Sequence, residues 1–405
     1  MSTSPTETPV SPLSPKHTKI HLGYLDGLRA FAAIYVLLHH MYLQSPLAGG
    51  PSVAMKLTKI FNFGHLSVDL FIVLSGFCLM LPVARGDGFL RGTALAFYKK
   101  RARRILPPYF ATIAVSLLFI ALWIGETSGS HWDIAIPVVA KDIWIHVFLL
   151  QDILGNAKIN PVLWSVSVEW RIYFLFPLLV FAFRRFGPVL TTAVTVVASY
   201  LFWLAMYLSP LASRQIVDTT WQGCSPYYLG LFAMGMLAAH IVFSGDARLN
   251  EWRDRMNWGA VTAVALALFV VMMALPAKLG IDLPRQFMSF FIGLACMALL
   301  IWISVRPHAW AARLFSWRPL VFMGTFAYSI YLMHAPLMQL FWKFAVHPLH
   351  QNTFREFLIM LIVGTPVILG ACYLFFLAFE RPFLNTRRKE TIAETERDAA
   401  LSPAP

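Results

Sequence analysis

Long apolar runs recur along the chain, separated by polar connections that are mostly short. The runs lie near residues 24–44, 64–84, 105–125, 162–183, 189–208, 226–243, 258–275, 287–305, 319–342 and 358–379. Most approach the ~20 residues that carry a helix across a bilayer. The pattern predicts an all-α, polytopic membrane protein with about ten transmembrane helices. Residues 1–19 are rich in Ser, Thr and Pro, hold no apolar stretch and lack the early apolar core of a signal peptide. They are expected to form a disordered tail ahead of a membrane domain over 20–384, with a second tail over 385–405. One connection is long. Within residues 126–161, Ile143–Leu154 is strongly apolar but too short to span. It predicts a helix lying at the interface or folded back into the bundle. No repeat of solenoid period and no inverted repeat is visible.

Composition supports this reading. Of 405 residues, 58% are hydrophobic, 15% aromatic and only 13% charged, with a mean hydropathy of +0.64. Soluble domains carry about 25% charged residues, so a water-soluble enzyme and a disordered scaffold are both excluded. The net charge of +13 would suggest nucleic acid in a soluble protein. Here it is assigned to loops, because cytoplasmic connections of membrane proteins collect Lys and Arg. The stretch Arg85–Arg104 holds Arg85, Arg91, Lys99, Lys100, Arg101, Arg103 and Arg104 against a single Asp87. Alternate connections carry Arg184 and Arg185, then Arg248, Arg253 and Arg255, then Arg306, Arg313 and Arg318. Lys16 and Lys19 at one end, and Arg387, Arg388 and Lys389 at the other, complete the series. The expected topology has both termini cytoplasmic, residues 126–161 outside, and the chain in the cell membrane. Cys78, Cys224, Cys296 and Cys372 are widely spaced. They show neither a metal-ligand spacing nor a disulfide framework.

Ionisable groups are costly inside a bilayer and usually mark function. Arg29 and His40 are 11 residues apart in the first run. At about 100° per residue both project from one face, about 16 Å apart along the axis, while His39 is turned about 80° away. Asp26 lies within reach of Arg29. An Arg or a His alone would be read as an interfacial group; the shared face favours a site. In the second run His65 and Asp69 are spaced i, i+4, and Asp69 is expected to face the bundle. Ser75-Gly76 is read as a close-packing pair. The third run follows Lys99-Lys-Arg-Ala-Arg-Arg104, with Pro107 and Pro108 expected in the first turn of a helix. That run is either a positive-inside anchor or an anion site at a helix N-terminus. In the fourth run Trp164 is explained as an interfacial aromatic, whereas Glu169 is an acid a few residues into a span. Glu169 and Arg171 do not face each other, so each needs its own partner. Tyr328, Tyr331 and His334 form one polar stripe, either a satisfied core network or a cavity lining. Glu380 and Arg381 are read as interfacial.

Taken together, these pieces resemble the acyltransferase-3 superfamily of integral membrane acyltransferases. The resemblance runs from Tyr24 to Phe383. It rests on Tyr24-Leu-Asp-Gly-Leu-Arg29 with His40, Val68-Asp-Leu-Phe-Ile-Val-Leu-Ser-Gly-Phe77, and Arg101-Ala-Arg-Arg-Ile-Leu-Pro107. It continues through Trp164-Ser-Val-Ser-Val-Glu169, Tyr328-Ser-Ile-Tyr-Leu-Met-His334 and Glu380-Arg-Pro382. The family's Arg-x10-His motif falls on Arg29 and His40, and the resemblance implies that His40 is essential for transfer. It also implies a fold of about ten helices, an acyl-coenzyme A donor from the cytoplasm and an acceptor hydroxyl on a sugar at the outer face. The acyl group expected from the family is acetyl. Arg171 stands where relatives often have an uncharged or acidic residue. Many relatives add a C-terminal esterase-like domain; the chain ends about 20 residues after Phe383, so such a step is expected to need a separate protein.

On this reading His40 is the general base, because histidine titrates near the working pH. Arg29 holds the donor thioester region or the developing negative charge. Asp69 and Glu169 orient the basic groups or bind the acceptor, and Arg101 and Arg104 meet the donor's phosphates. Trp164, Tyr173, Tyr331 and His334 are the candidate substrate contacts. No resident cofactor or metal is expected; acyl-coenzyme A is a co-substrate, membrane lipid and a carbohydrate acceptor are the partners, and nucleic acid is not. Two rivals remain: a transporter or flippase using the buried charges as a pathway, and a non-catalytic partner in polysaccharide assembly, which has no need of Arg, His, Asp and Glu at membrane depth.

Overall fold

The computed structural model describes residues 22–44, 50–209, 224–279, 284, 286–384 and 392. The tail over 1–19, and the tail over 385–405 apart from Ile392, lie outside the described residues, as do Lys16, Lys19, Arg387, Arg388 and Lys389. Among the described residues the architecture is all-α. In chain order the helices are α1 Gly23–Leu43, α2 Ser52–Thr58, α3 Leu66–Ala84, α4 Ala94–Phe119, α5 Ala140–Val147, α6 Trp164–Phe186, α7 Pro188–Tyr207 and α8 Tyr227–Phe243. Then follow α9 Ala247–Arg255, α10 Trp258–Leu279, α11 Gln286–Val305, α12 Trp310–Phe315, α13 Arg318–Thr325, α14 Ala327–Phe341, α15 Thr353–Ile359 and α16 Thr365–Phe375.

Each of the ten apolar runs is helical. Length and apolarity alone qualify fewer than ten as spans. Among the described residues six helices pass, or up to eight when each of two bent pairs is one span. α1 is 21 residues long but carries Asp26, Arg29, His39 and His40, which lower its hydropathy. α10 qualifies only as a shorter apolar helix over Trp258–Ala274. The run at 319–342 is not one straight span: α13 and the helix from Ala327 meet at 75°. The outward-facing side chains are apolar, with Phe181, Leu178, Leu201, Val270, Ile362 and Leu374 all exposed. A ring of this kind requires lipid, and the chain is a multi-pass membrane protein.

Two close helix contacts set the frame. A Cβ on Gly76 would fall 2.1 Å from the Phe232 carbonyl oxygen, and one on Gly235 would fall 1.9 Å from that of Val73. α3 and α8 therefore touch backbone to backbone, in the manner of small-residue packing in membranes. The start of α1 lies equally close to α12 and α13, with Gly27 against the Phe315 carbonyl and Gly324 against that of Asp26.

The expected start of the third helix is corrected here. α4 begins at Ala94, where Thr93 accepts a hydrogen bond from the Ala96 amide at 3.2 Å. The basic run thus lies within the helix, and Pro107 and Pro108 sit in its interior rather than its first turn. No helix N-terminus stands at Arg101–Arg104. The cap explains it: a Thr eight residues ahead of Arg101 satisfies the first donors. In the long connection the apolar segment forms the eight-residue α5 and a following turn. Ile145 and His146 are buried while Trp144, Phe148 and Leu154 are exposed, the pattern of a helix lying along an apolar interface.

Candidate active site

α1, α3, α6 and α14 enclose two cavities that share a wall. The first is lined by Arg29, Arg101, Arg104, Glu169, Tyr173 and Glu380, with Ser75 and Cys78 of α3, and encloses about 1060 Å³, its open mouth included. Arg101 and Arg104 reach it because they are one turn apart on α4 and share a face. Lys99, Lys100 and Arg103 of the same run are exposed. Arg29 donates to Asp26 Oδ1 at 2.7 Å and to Cys78 Sγ at 2.9 Å. The Asp26 contact is the one expected from their spacing. Glu169 Oε1 accepts from Ser75 Oγ at 2.7 Å and from the Tyr173 hydroxyl, and Ser75 and Tyr173 are themselves 2.9 Å apart. Ser75 is thus a polar partner rather than packing filler; Gly76 alone does the packing.

Glu380 is not interfacial. It is buried on this cavity's wall and accepts from Ser329 Oγ at 2.6 Å. The only sequence signal for it was its place in the Glu380-Arg-Pro382 motif.

The second cavity, about 660 Å³, is lined by His39, His40, His65, His131 and Trp164 among others. The segment Ser128–Ala135 lies over it. Its His131 and Trp132 rings stand 6.3 and 5.2 Å from the His40 ring. Neither residue was singled out in the sequence, because nothing in a loop's pattern says what it covers. Burial pushes the His131 imidazole below its usual pKa. Trp164 lines this cavity and packs on Tyr228, so it is more than an interfacial aromatic.

Val68 and Tyr331 line both cavities and form the wall between them. The Tyr331 hydroxyl is fixed by Ser165 Oγ at 2.6 Å and the Val162 carbonyl at 2.9 Å. Arg29 and His40 therefore open onto opposite sides of the wall. Both occupy the expected face of α1, yet they do not meet.

Behind His40 lies His334. Their rings join through His334 Nε2 and His40 Nδ1 at 2.9 Å. His334 is fully buried and lines neither cavity. The polar stripe of α14 thus splits: Tyr328 faces the arginine cavity, Tyr331 the wall, and His334 the His40 ring. His39 is buried and bonds the Phe61 carbonyl at 2.8 Å, a packing position.

Asp69 is brought to neither cavity. It is buried on the side of α3 that faces α11, where its charge acts on Tyr200 and Cys296. His65 does line the second cavity. Its backbone is already helical at the start of α3, yet Asp69, four residues on, lines neither cavity. Arg171 finds its own partner, as expected: it pairs with the fully buried Asp152 and donates to the Leu149 carbonyl at 3.3 Å, tying the long connection to α6.

Helices around a buried polar site with two back-to-back chambers define a polytopic membrane protein. The sequence comparison agrees. Residues 22–377 match the acyltransferase-3 family, described as an acyltransferase domain, and the chain belongs to that family. It is similar to the O-acetyltransferase OatA of Staphylococcus aureus, at 26% identity over 329 residues, covering 78% of this chain and 51% of the relative. It is also similar to the peptidoglycan O-acetyltransferase OatA of Listeria monocytogenes, at 22% identity over 334 residues, covering 80% and 50%. The chain spans about half the length of these curated relatives. No solved structure matches it.

Proposed function

We propose that the protein is a membrane O-acyltransferase that moves an acetyl group from cytoplasmic acetyl-coenzyme A to a hydroxyl of an extracytoplasmic glycan. The observation that carries this reading is the pair of cavities divided by Val68 and Tyr331, guanidinium groups on one side and His40 on the other. The names of the relatives supply the glycan class, peptidoglycan, and the acetyl group.

The arginine cavity takes the donor. Arg101 and Arg104 meet its phosphates through charge-assisted hydrogen bonds, and the excess of Lys and Arg over Arg85–Arg104 supports a cytoplasmic position for that side, with both termini. Arg29 stands deeper, about 16 Å along α1 from His40, and holds the thioester arm rather than an oxyanion at the base. Glu169 fixes Ser75 and Tyr173 along the arm's route. Asp69 supports α3 and takes no part in the chemistry.

The histidine cavity takes the acceptor, with the sugar ring against Trp164. His40 removes the hydroxyl proton as the oxygen adds to the thioester carbonyl carbon. The C–O bond forms, the C–S bond breaks, and the coenzyme A thiolate takes the proton from His40 and leaves as free thiol.

The test uses the whole chain in vesicles holding peptidoglycan strands inside, with acetyl-labelled coenzyme A outside the arginine face. Labelled glycan with equimolar free thiol is the expected result. Passage of intact donor or glycan without thiol release would make the protein a transporter instead.

A further inference from the structure

We infer that His334 is a positioning residue for His40: it fixes which ring nitrogen of His40 carries the proton. The inference rests on the reading of His40 as the base. His334 Nδ1 lies 2.7 Å from the Tyr331 carbonyl and 3.1 Å from the Ile330 carbonyl. A carbonyl oxygen only accepts, so His334 Nδ1 carries its proton. A neutral imidazole has one donor and one acceptor nitrogen, so His334 Nε2 is an acceptor. Its partner at 2.9 Å is His40 Nδ1. That nitrogen must therefore be the donor, and the His40 Nε2 lone pair is left free for the cavity.

His334 supplies the acceptor from outside α1. It thereby fixes the ring's orientation as well as its proton. Full burial matters here: water cannot replace His334 if it is removed.

The arrangement differs from a base steadied by a carboxylate, because the partner is neutral. His334 sets direction without contributing charge. It also joins the base to the backbone of Tyr331, the wall residue, so base and wall keep one geometry.

The experiment compares His334→Leu with His334→Gln, whose side-chain oxygen restores an acceptor. Two readouts are taken on full-length protein in membranes: acetyl transfer, and the nitrogen-15 spectrum of labelled histidine, with the His40 signals assigned by their loss in His40→Gln. In the native protein His40 is expected as the Nδ1-protonated tautomer. His334→Leu should give a tautomer mixture and lower turnover roughly 10- to 100-fold, less than loss of the base itself, with the donor KM kept. His334→Gln should recover most of both. A pure Nδ1-protonated signal and native turnover in His334→Leu would overturn the inference. An inactive native protein with the expected tautomers would refute the reading of activity while leaving the positioning role standing.

Discussion

The arginine cavity sets Arg29, Arg101 and Arg104 against Glu169 and Glu380, whereas the histidine cavity has no carboxylate, guanidinium or ammonium among its described lining residues. α1, α3, α6 and α14 line both, and the two differ because Arg101 and Arg104 of α4 and Glu380 reach only the first. Fixed charge suits an anionic donor, and it demands partners, because an unpaired buried charge is costly. Asp26, Ser75, Tyr173 and Ser329 provide them. Imidazole and indole suit a sugar, and the imidazole can accept a proton without holding permanent charge. The division of chemistry follows the wall, and each test below breaks or sharpens that division.

The largest effect is expected on the histidine side. His40→Ala should lower transfer by roughly 10²- to 10⁴-fold with expression intact, measured as glycan acetylation per unit protein. His39→Ala should keep much of the activity, since His39 spends its Nδ1 on the Phe61 carbonyl. A dead His39→Ala beside an active His40→Ala would move the base to the other histidine.

On the arginine side, Arg101→Ala and Arg104→Ala should each weaken donor binding by about 1.5–3 kcal/mol, the range of a charge-assisted hydrogen bond, read as a rise in donor KM. Lys99→Ala and Lys100→Ala, which face away, should change it little. Equal effects from all four would reduce the run to a membrane anchor. Arg29→Lys should also fail, because one ammonium cannot reproduce the guanidinium fork that meets Asp26 and Cys78 together.

Much of this was legible beforehand. The apolar runs located the helices, and the 11-residue spacing put Arg29 and His40 on one face. What helical phase cannot say is which neighbour a face meets. Arg29 and His40 share a face but open to different chambers, because α3 and α14 press Val68 and Tyr331 between them. Asp69 was misplaced for the same reason, turning toward α11 instead of the site. The break near Phe326 and the cap at Thr93 were missed because the apolar or basic pattern runs through both. His131 and Trp132 reach His40 only through the course of a long connection, a tertiary fact with no local signature.

The wall itself can be altered. Val68→Ala removes two carbons from the shared wall, so the ratio of isobutyryl to acetyl transfer should rise, by a few-fold for about 1 kcal/mol of relieved crowding. An unchanged ratio would place the passage elsewhere.

The smallest expected effect concerns pH. Burial lowers the pKa of His131 and of His146, which lie outside the spanning helices, so both are neutral when folded. The unfolded chain protonates them below about 6.5. Their share of stability is therefore fully present above that pH and is lost as pH falls below it. Protease nicking of the 126–161 connection should increase from pH 7 to pH 5, and a flat profile would show the segment to be held by other contacts.

The thin wall at Val68 and Tyr331 also has an electrical meaning. With water entering from both faces, a membrane voltage drops mainly across the dry layer, at about 2.3 kcal/mol per elementary charge for each 100 mV. On the proposed route the acetyl group leaves a thiolate behind as it crosses outward, and the proton released by the sugar hydroxyl crosses inward to neutralise it. The two movements cancel, so each turnover carries no net charge and the transfer equilibrium is indifferent to the membrane voltage. An equilibrium that shifted with an imposed potential would mean that the proton leaves on the outer side and the thiolate takes another from the cytoplasm.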